Sequence, residues 1–474
     1  MRVCAPWPSG THQFNRGRRA PFEQATGNGE RGSTARAKEI DMKARVFAAV
    51  VLAVALAVAA STASGSTRHT AKKAAANEVV VWVMTDAQSG WPGAVAAANN
   101  AFKAQHPGVD VNLQYQSWDT VLQKFDAALA ANSAPDVIEL GNSQTTAYMA
   151  AGALSTIKAA NYPNSKTWLG GLKASCSYSG KLYCVPYYAG ARAVIYRKDM
   201  YAAAGIKKVP TTYSQFLSDG NKLMKKFGKN SNFSALYEPG QNWYVMMTFV
   251  KDWGGNIAVR ENGKWKAVFD SPKAVQGLAA YKSMVLKLSR ASKTNDEAHP
   301  FPSVPFAKGR MAAFIGNGWE WPYVFNPKGG AAPKSFEAKM GAYPMPSHIK
   351  GKFMPTFLGG SDLAIPISAQ HKSLGADWIK AFTSTSSQKI IAKAGNIANT
   401  TTLANVNAHN PALAPFARAS KYSWFVPTAP NWTNVEKSNV LKTMGTALLT
   451  NKGSVKSVAQ KYAKQVTKIL NAKS

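Results

Sequence analysis

Cysteine, histidine and acidic side chains are all scarce in this chain of 474 residues, which holds three Cys, seven His and 24 Asp plus Glu against 57 Lys plus Arg. So few thiols exclude a disulfide-knit scaffold and a Cys-rich zinc module. Also missing are His-Glu-x-x-His, Gly-x-Ser-x-Gly, Cys-x-x-Cys and a phosphate-binding glycine loop, which removes the commonest signatures of zinc peptidases, serine hydrolases, thiol redox proteins and nucleotide hydrolases. His106, His299, His348, His371 and His409 sit beside Pro, Lys, Ser or Asn in turn-like contexts and read as surface residues. Asp119 and Asp126 could be paired for glycoside hydrolysis, but sequence does not set the separation of two carboxyl groups. The reading is therefore a binder rather than an enzyme, with no cofactor and no metal. No tandem repeat is visible, so a solenoid is not expected.

The shortage of acid leaves a formal charge of +33. Residues 1–41 hold seven Lys or Arg and four Asp or Glu, so nearly all of the excess belongs to the rest of the chain. Such a field attracts nucleic acid, anionic wall polymers and acidic lipid head groups. No recognisable nucleic-acid motif accompanies it, and the charge reads as a solvated surface drawn to an anionic envelope, with no nucleic-acid partner.

Long apolar runs are scarce too. The one at Val46 to Ala60 follows Lys43 and Arg45 and precedes Ser61 to Ser64; this basic, apolar, small-residue order is that of a secretory signal, and the run is short for a membrane span. An anchor helix that is never cut is the alternative. A signal belongs near a start, so residues 1–41 are expected to be a mis-assigned start or a disordered leader, 42–64 the signal peptide and 65–77 a linker. Export is to the periplasm or the extracellular space, and no cysteine follows the apolar run to take a lipid. Cys4 falls in the leader, which leaves Cys176 and Cys184 as an even pair. Outside the cytoplasm a disulfide is the natural reading; two buried thiols are the alternative.

What the chain does contain is a folding pattern. A length of 474 residues with 46% hydrophobic content suits two lobes. Val79 to Met84 reads as a buried strand that includes Trp82. Val95, Ala98 and Phe102 repeat at helical spacing up to His106-Pro107-Gly108. Val109, Val111, Leu113 and Tyr115 alternate, Val121, Leu122, Phe125 and Leu129 make a second helix face, and Val137 to Leu140 a third strand. This β-α-β-α-β order implies a mainly parallel sheet flanked by helices. Ligands in such sheets lie beyond the carboxyl ends of the strands, which points to Asp86 to Gly93, Ser117 to Thr120 and Gly141 to Thr145. Further on, Asp270-Ser271-Pro272 marks a helix start.

Tryptophan is plentiful, with 13 in all. Trp91, Trp118, Trp243, Trp319, Trp321, Trp424 and Trp432 lie outside apolar runs, beside turn-forming residues. An indole offers a flat apolar face with one N–H, which suits the C–H-rich face of a pyranose; packing at a lobe surface is the alternative for each ring.

Gly180 to Tyr188, continuing through Arg192 and Ile195 to Asp199, crowds aromatics around a chain crossover. Together with Ala134 to Gly141, Gly316 to Trp321 and Gly359 to Pro366, in that order and spacing, it resembles the extracellular solute-binding proteins, the family of the maltose-binding protein. The resemblance implies an α/β, two-lobed periplasmic-binding-protein fold of type II with a three-crossing hinge near Tyr187 to Ala191, Gly341 to Pro346 and Thr383 to Ser387. Lobe 1 is then 78–188 plus 341–383, and lobe 2 is 189–340 plus 384–474. It implies a small-molecule carbohydrate ligand, probed first as an oligosaccharide, and delivery by a monomer to the permease subunits of an ABC importer. The ligand-binding residues implied are Asp86, Gln88, Trp91, Trp118, Asn142, Gln144, Tyr187, Arg192, Trp243, Trp319, Trp321, Gly360 and Asp362. Arg192 and the net charge leave open an anionic solute such as a glycerol phosphodiester or uronate, and an envelope lectin without transport is a further alternative.

Overall fold

Alternation along the first strand decides how the amino-terminal sheet is built. In β1 (Glu78–Met84), Val79, Val81 and Val83 are fully buried. They pack beneath the helices Pro92–Gln105 and Lys372–Phe382, where Ala98, Phe102, Trp378, Ile379 and Phe382 share their cluster. The opposite face of the sheet meets helix Val121–Ala130 through Val121 and Phe125, together with Ile138 and Leu140. A computed structural model describes residues 77–451 and 453–472. The signal, leader and most of the linker lie outside the described residues.

The β-α-β-α-β segment forms as its periodicity implies. β1 pairs in parallel with β2 (Asp110–Gln116) and with β3 (Val137–Gly141). Parallel pairing of long strands stops there. β4 (Cys184–Gly190) and β8 (Gly359–Ala364) join the same sheet antiparallel, with β9 (Ile397–Ala398) at its edge, in the order β9-β4-β8-β3-β1-β2. The second long sheet is antiparallel throughout, with β5 (Arg192–Arg197) between β6 (Ala313–Asn317) and β7 (Met340–Tyr343). Its large core is helical, built on Trp243–Asp252, Pro272–Leu288, Val440–Thr450 and Val455–Leu470.

Sheet membership modifies the lobe ranges given above. Gly341 to Tyr343 belong with the second sheet through β7 rather than with lobe 1. The chain returns to the first sheet at β8, and helices Lys372–Phe382 and Thr385–Lys393 both pack on helix Pro92–Gln105, so residues 384–398 stay with the first sheet. Trp82 differs from its expectation as well. It points to the more open face, is half-buried, and donates from Nε1 to Gln114 at 2.9 Å.

Cys176 and Cys184 are joined in a disulfide, with Cα atoms 4.9 Å apart. Three histidines are engaged by neighbouring side chains; His106 and His371 are half-buried, and His348 is exposed as its turn-like context implies. His348 stacks on Trp253 with ring centroids 4.4 Å apart and sits 2.8 Å from Asp252; His371 and His106 lie beside Asp136 and Asp377. Each ties a loop to a neighbouring element. Among the described residues no helix is long and apolar enough to cross a membrane.

Candidate functional site

The carboxyl ends of β1, β2 and β3 open onto a cavity of about 450 Å³. Asp86 follows β1, Trp118 follows β2 and Asn142 follows β3, as the topology of a parallel sheet requires. The opposite wall comes from the second sheet and its helices, through Arg192, Trp243, Tyr244, Trp319, Glu320 and Glu436. Contacts cross the mouth. Lys437 reaches Asp126 at 2.7 Å, Thr433 Oγ1 donates to the Gln144 carbonyl at 3.1 Å, and His299 lies 3.6 Å from Asp119.

Aromatic faces line both sides. Tyr188 and Trp319 meet edge to face, with centroids 6.0 Å apart at 89°. The Trp319 ring lies so close over the backbone of β4 that a Cβ on Gly190 would fall 2.1 Å from it, which is why the strand carries glycine there. On the other side Tyr244 stacks on Phe357 at 4.9 Å and 16°, with Trp243 against both. The Arg192 guanidinium sits 4.5 Å over the Tyr244 ring, while its backbone N–H donates to Thr356 Oγ1 at 2.9 Å. Planar stacking of this kind orients the guanidinium while leaving its in-plane N–H groups free to donate.

Of the residues implied at the sequence level, Asp86, Trp118, Asn142, Gln144, Arg192, Trp243, Trp319 and Gly360 stand on the cavity wall. Two of them spend their side chains on the fold. Asn142 Nδ2 donates to the Leu358 carbonyl at 3.1 Å, and Gln144 Oε1 accepts from Gly141 N at 3.1 Å. Gln88, Trp91, Tyr187, Trp321 and Asp362 are not on the wall. Gln88 faces solvent. Trp91 donates to the Tyr187 hydroxyl inside the first core, and Trp321 Nε1 donates to Glu337 at 3.0 Å away from the cleft. Asp362 is fully buried and accepts from Thr145 at 2.9 Å and Ser175 at 3.2 Å. Tyr187 and Tyr188 stand side by side with ring centroids 4.7 Å apart, at a bulge in β4 opposite Ser361 and Asp362, and of the two Tyr188 lines the cleft. Trp424 and Trp432 are buried core residues.

Sequence reasoning missed most of the acids, although Asp119 lies in the Ser117 to Thr120 loop to which the strand order pointed. Asp119, Asp296, Glu297, Glu320 and Glu436 share the wall with Asp86. Asp86 accepts from Trp118 Nε1 at 2.6 Å; burial raises its pKa, and that hydrogen bond opposes the rise. Burial pushes Glu320 up to about 7, although its Oε1 accepts from Asn317 N at 2.9 Å, and it raises Glu297 and Glu436 as well. Behind Asp86, buried Glu139 is pushed up to about 8. The one signal in the sequence was the position of Glu320 directly after Gly318-Trp319, in a block already singled out for its ring. Among the described residues the single close cluster of metal-ligating atoms is Cys176, Cys184 and Asp362, whose sulfurs are committed to the disulfide.

The model of the bacterial extracellular solute-binding protein family matches residues 82–389. The chain belongs to this family. It is 31% identical over 404 residues to the diacetylchitobiose binding protein DasA of Streptomyces coelicolor, covering 84% of this chain and 92% of that protein. In fold it is similar to an ABC-transporter solute-binding protein of Thermotoga lettingae bound with α-D-tagatose, at a TM-score of 0.71, 20% identity and coverage of 83% of this chain and 100% of that one. It is also similar to the GacH receptor of Streptomyces glaucescens, solved unliganded and with acarbose, at a TM-score of 0.70, 19% identity and coverage of 84% and 99%. The architecture is thus that of type II periplasmic binding proteins, a mixed sheet flanked by helices facing a second lobe across a cleft.

Proposed function

We propose that this solute-binding protein captures a carbohydrate, most fittingly an oligosaccharide, in the cavity between its lobes and delivers it to an ABC importer. The observation that carries the reading is the pairing of aromatic rings with buried hydrogen-bonding groups in one cavity, Trp319 beside Tyr188 and Tyr244 beside Trp243. Rings receive the C–H faces of a pyranose while carboxylates and amides sort its hydroxyls, and a site built to bond an OH strongly rejects a ligand that lacks it. The likeness to DasA supports the same class and makes β-linked amino-sugar disaccharides the first ligands to try. Ligand that touches both lobes only when they are closed shifts the population toward the closed form, which is what permease subunits would read. Binding without chemistry, a monomeric state and release outside the cytoplasm belong to the same proposal.

An anionic solute fits less well. Six carboxylates share the wall with Arg192 and two lysines, and Lys437 and Lys442 are paired with Asp126 and Asp296, each at 2.7 Å. A thermal-shift screen of mono-, di- and oligosaccharides alongside glycerol phosphates decides between the classes. A true ligand at 100 times its dissociation constant adds about 2.7 kcal/mol of stability. A shift with glycerol phosphodiesters or uronates alone would overturn the carbohydrate reading.

A further inference from the structure

Resting on the carbohydrate reading, we propose that the polar floor of this cleft is built for a sugar that carries a free, protonated amino group. The protein bears a formal charge of +33, yet carboxylates dominate the cavity. The two lysines there are consumed by ion pairs. Among the described residues, Asp86, Glu297, Glu320 and Glu436 lie in no ion pair within 4.0 Å. Arg192 is the one cation on this wall without such a pair. At contact distance these local charges outweigh the wider basic field, because salt screens charges beyond roughly 8 to 10 Å.

The hydrogen-bond inventory gives an independent reason. Glu320 is 7% exposed and lines the cavity, and its Oε2 has no partner. Asn317, 5% exposed and on the same wall, leaves Oδ1 without one, and so does Glu297 at Oε2. Asn317 Oδ1 can only accept, and the two carboxyl groups also accept once ionised, the form that a ligand cation beside them favours. Buried polar atoms ordinarily find partners, so a ligand seated here must bring donors. A hydroxyl brings one. An acetamido group brings one together with a carbonyl acceptor that would face carboxylate oxygens, whereas an ammonium brings three donors and the charge that strengthens each bond. The second lobe's Glu320 and Glu297 are therefore specificity residues for a primary amine, and the aromatic walls hold the ring that bears it.

The test compares three β-1,4-linked disaccharides that differ at C2, by calorimetry on the mature wild-type protein near neutral pH. They are the glucosamine disaccharide with free amines, diacetylchitobiose and cellobiose. The free-amine sugar should bind at least about ten-fold tighter than either of the others, as a charge-assisted contact implies. That margin should shrink as salt is raised and should narrow several-fold in Glu320→Gln. Should that variant fail to fold, Glu297→Gln serves as the second reading of the same margin. Equal or tighter binding of diacetylchitobiose or cellobiose overturns the amine assignment and leaves carbohydrate capture standing. An undiminished margin in both folded variants overturns the role of these two acids. Failure of all three sugars also overturns the inference, and the screen of neutral oligosaccharides then judges the broader reading separately.

Discussion

Replacing Trp319 by alanine separates a binding platform from a packing residue. The ring stands over Gly190 at the margin of the first core, touches Tyr188 by its edge, and is half-buried on the cavity wall. Removing it takes away one flat face for a pyranose. By analogy with base stacking this is worth about 1 to 3 kcal/mol, or a loss of roughly 5- to 150-fold in affinity. The cost in stability should be smaller than the roughly 3 to 5 kcal/mol of emptying a core site, because solvent can enter where the ring stood. Trp378 provides the opposite case. It is fully buried beneath the first sheet and donates to Asn99 at 2.8 Å, so Trp378→Ala should lower stability by the full core amount and leave affinity unchanged in the folded fraction. Denaturant melts and calorimetry with the ligand found in the screen give both quantities for both variants. If Trp319→Ala binds normally and melts early, the ring is core and the platform argument fails.

Other outcomes follow from the same geometry. Serine at Cys176 and Cys184 should cost about 2 to 3 kcal/mol by restoring freedom to the unfolded chain, and the folded, oxidised wild type should show no labelling of either residue by a thiol reagent. Burial pushes Asp362 up to about 7. A carboxyl whose folded pKa lies above its unfolded value contributes stability that is whole below the unfolded value and is lost as pH rises through the folded one. Asp362→Asn should therefore flatten the fall in stability between about pH 4 and 7 by up to ~1.4 kcal/mol per pH unit, and equal slopes in melts of variant and wild type would refute it. Mass spectrometry of the exported protein should find an amino terminus between about Ala59 and Gly65, and a mature terminus upstream of residue 42 would contradict the signal-peptide reading.

How far the sequence could be read depended on how local the cause was. The amino-terminal β-α-β-α-β segment was legible because Val79, Val81 and Val83 alternate against one core while Ala98 and Phe102 recur at helical spacing, and both signals lie within a few residues. The sheet to which β7 belongs was not legible, since Met340–Tyr343 pairs with a strand nearly 150 residues earlier and its own pattern is the same in either sheet. The site divides in the same way. Asp86, Trp118 and Asn142 follow three consecutive strands and could be placed by topology alone. Glu297, Glu320 and Glu436 come from three distant segments of the second lobe and read singly as surface acids. Tyr187 and Tyr188 show the limit of resolution, because the bulge that sets their two rings side by side arises from pairing with Ser361 and Asp362, which lie far away in sequence.

A sugar ring is expected to sit between the two lobes on the aromatic walls of one cavity. A crystal structure with the tightest carbohydrate from the screen tests it most directly. One bound sugar should lie in the cavity of about 450 Å³, with a pyranose face on Trp319 or on the Trp243 and Tyr244 pair and polar groups within hydrogen-bond reach of Glu320 and Arg192. A sugar bound on the outer surface, or in the cavity with no ring of the protein against its face, would contradict it.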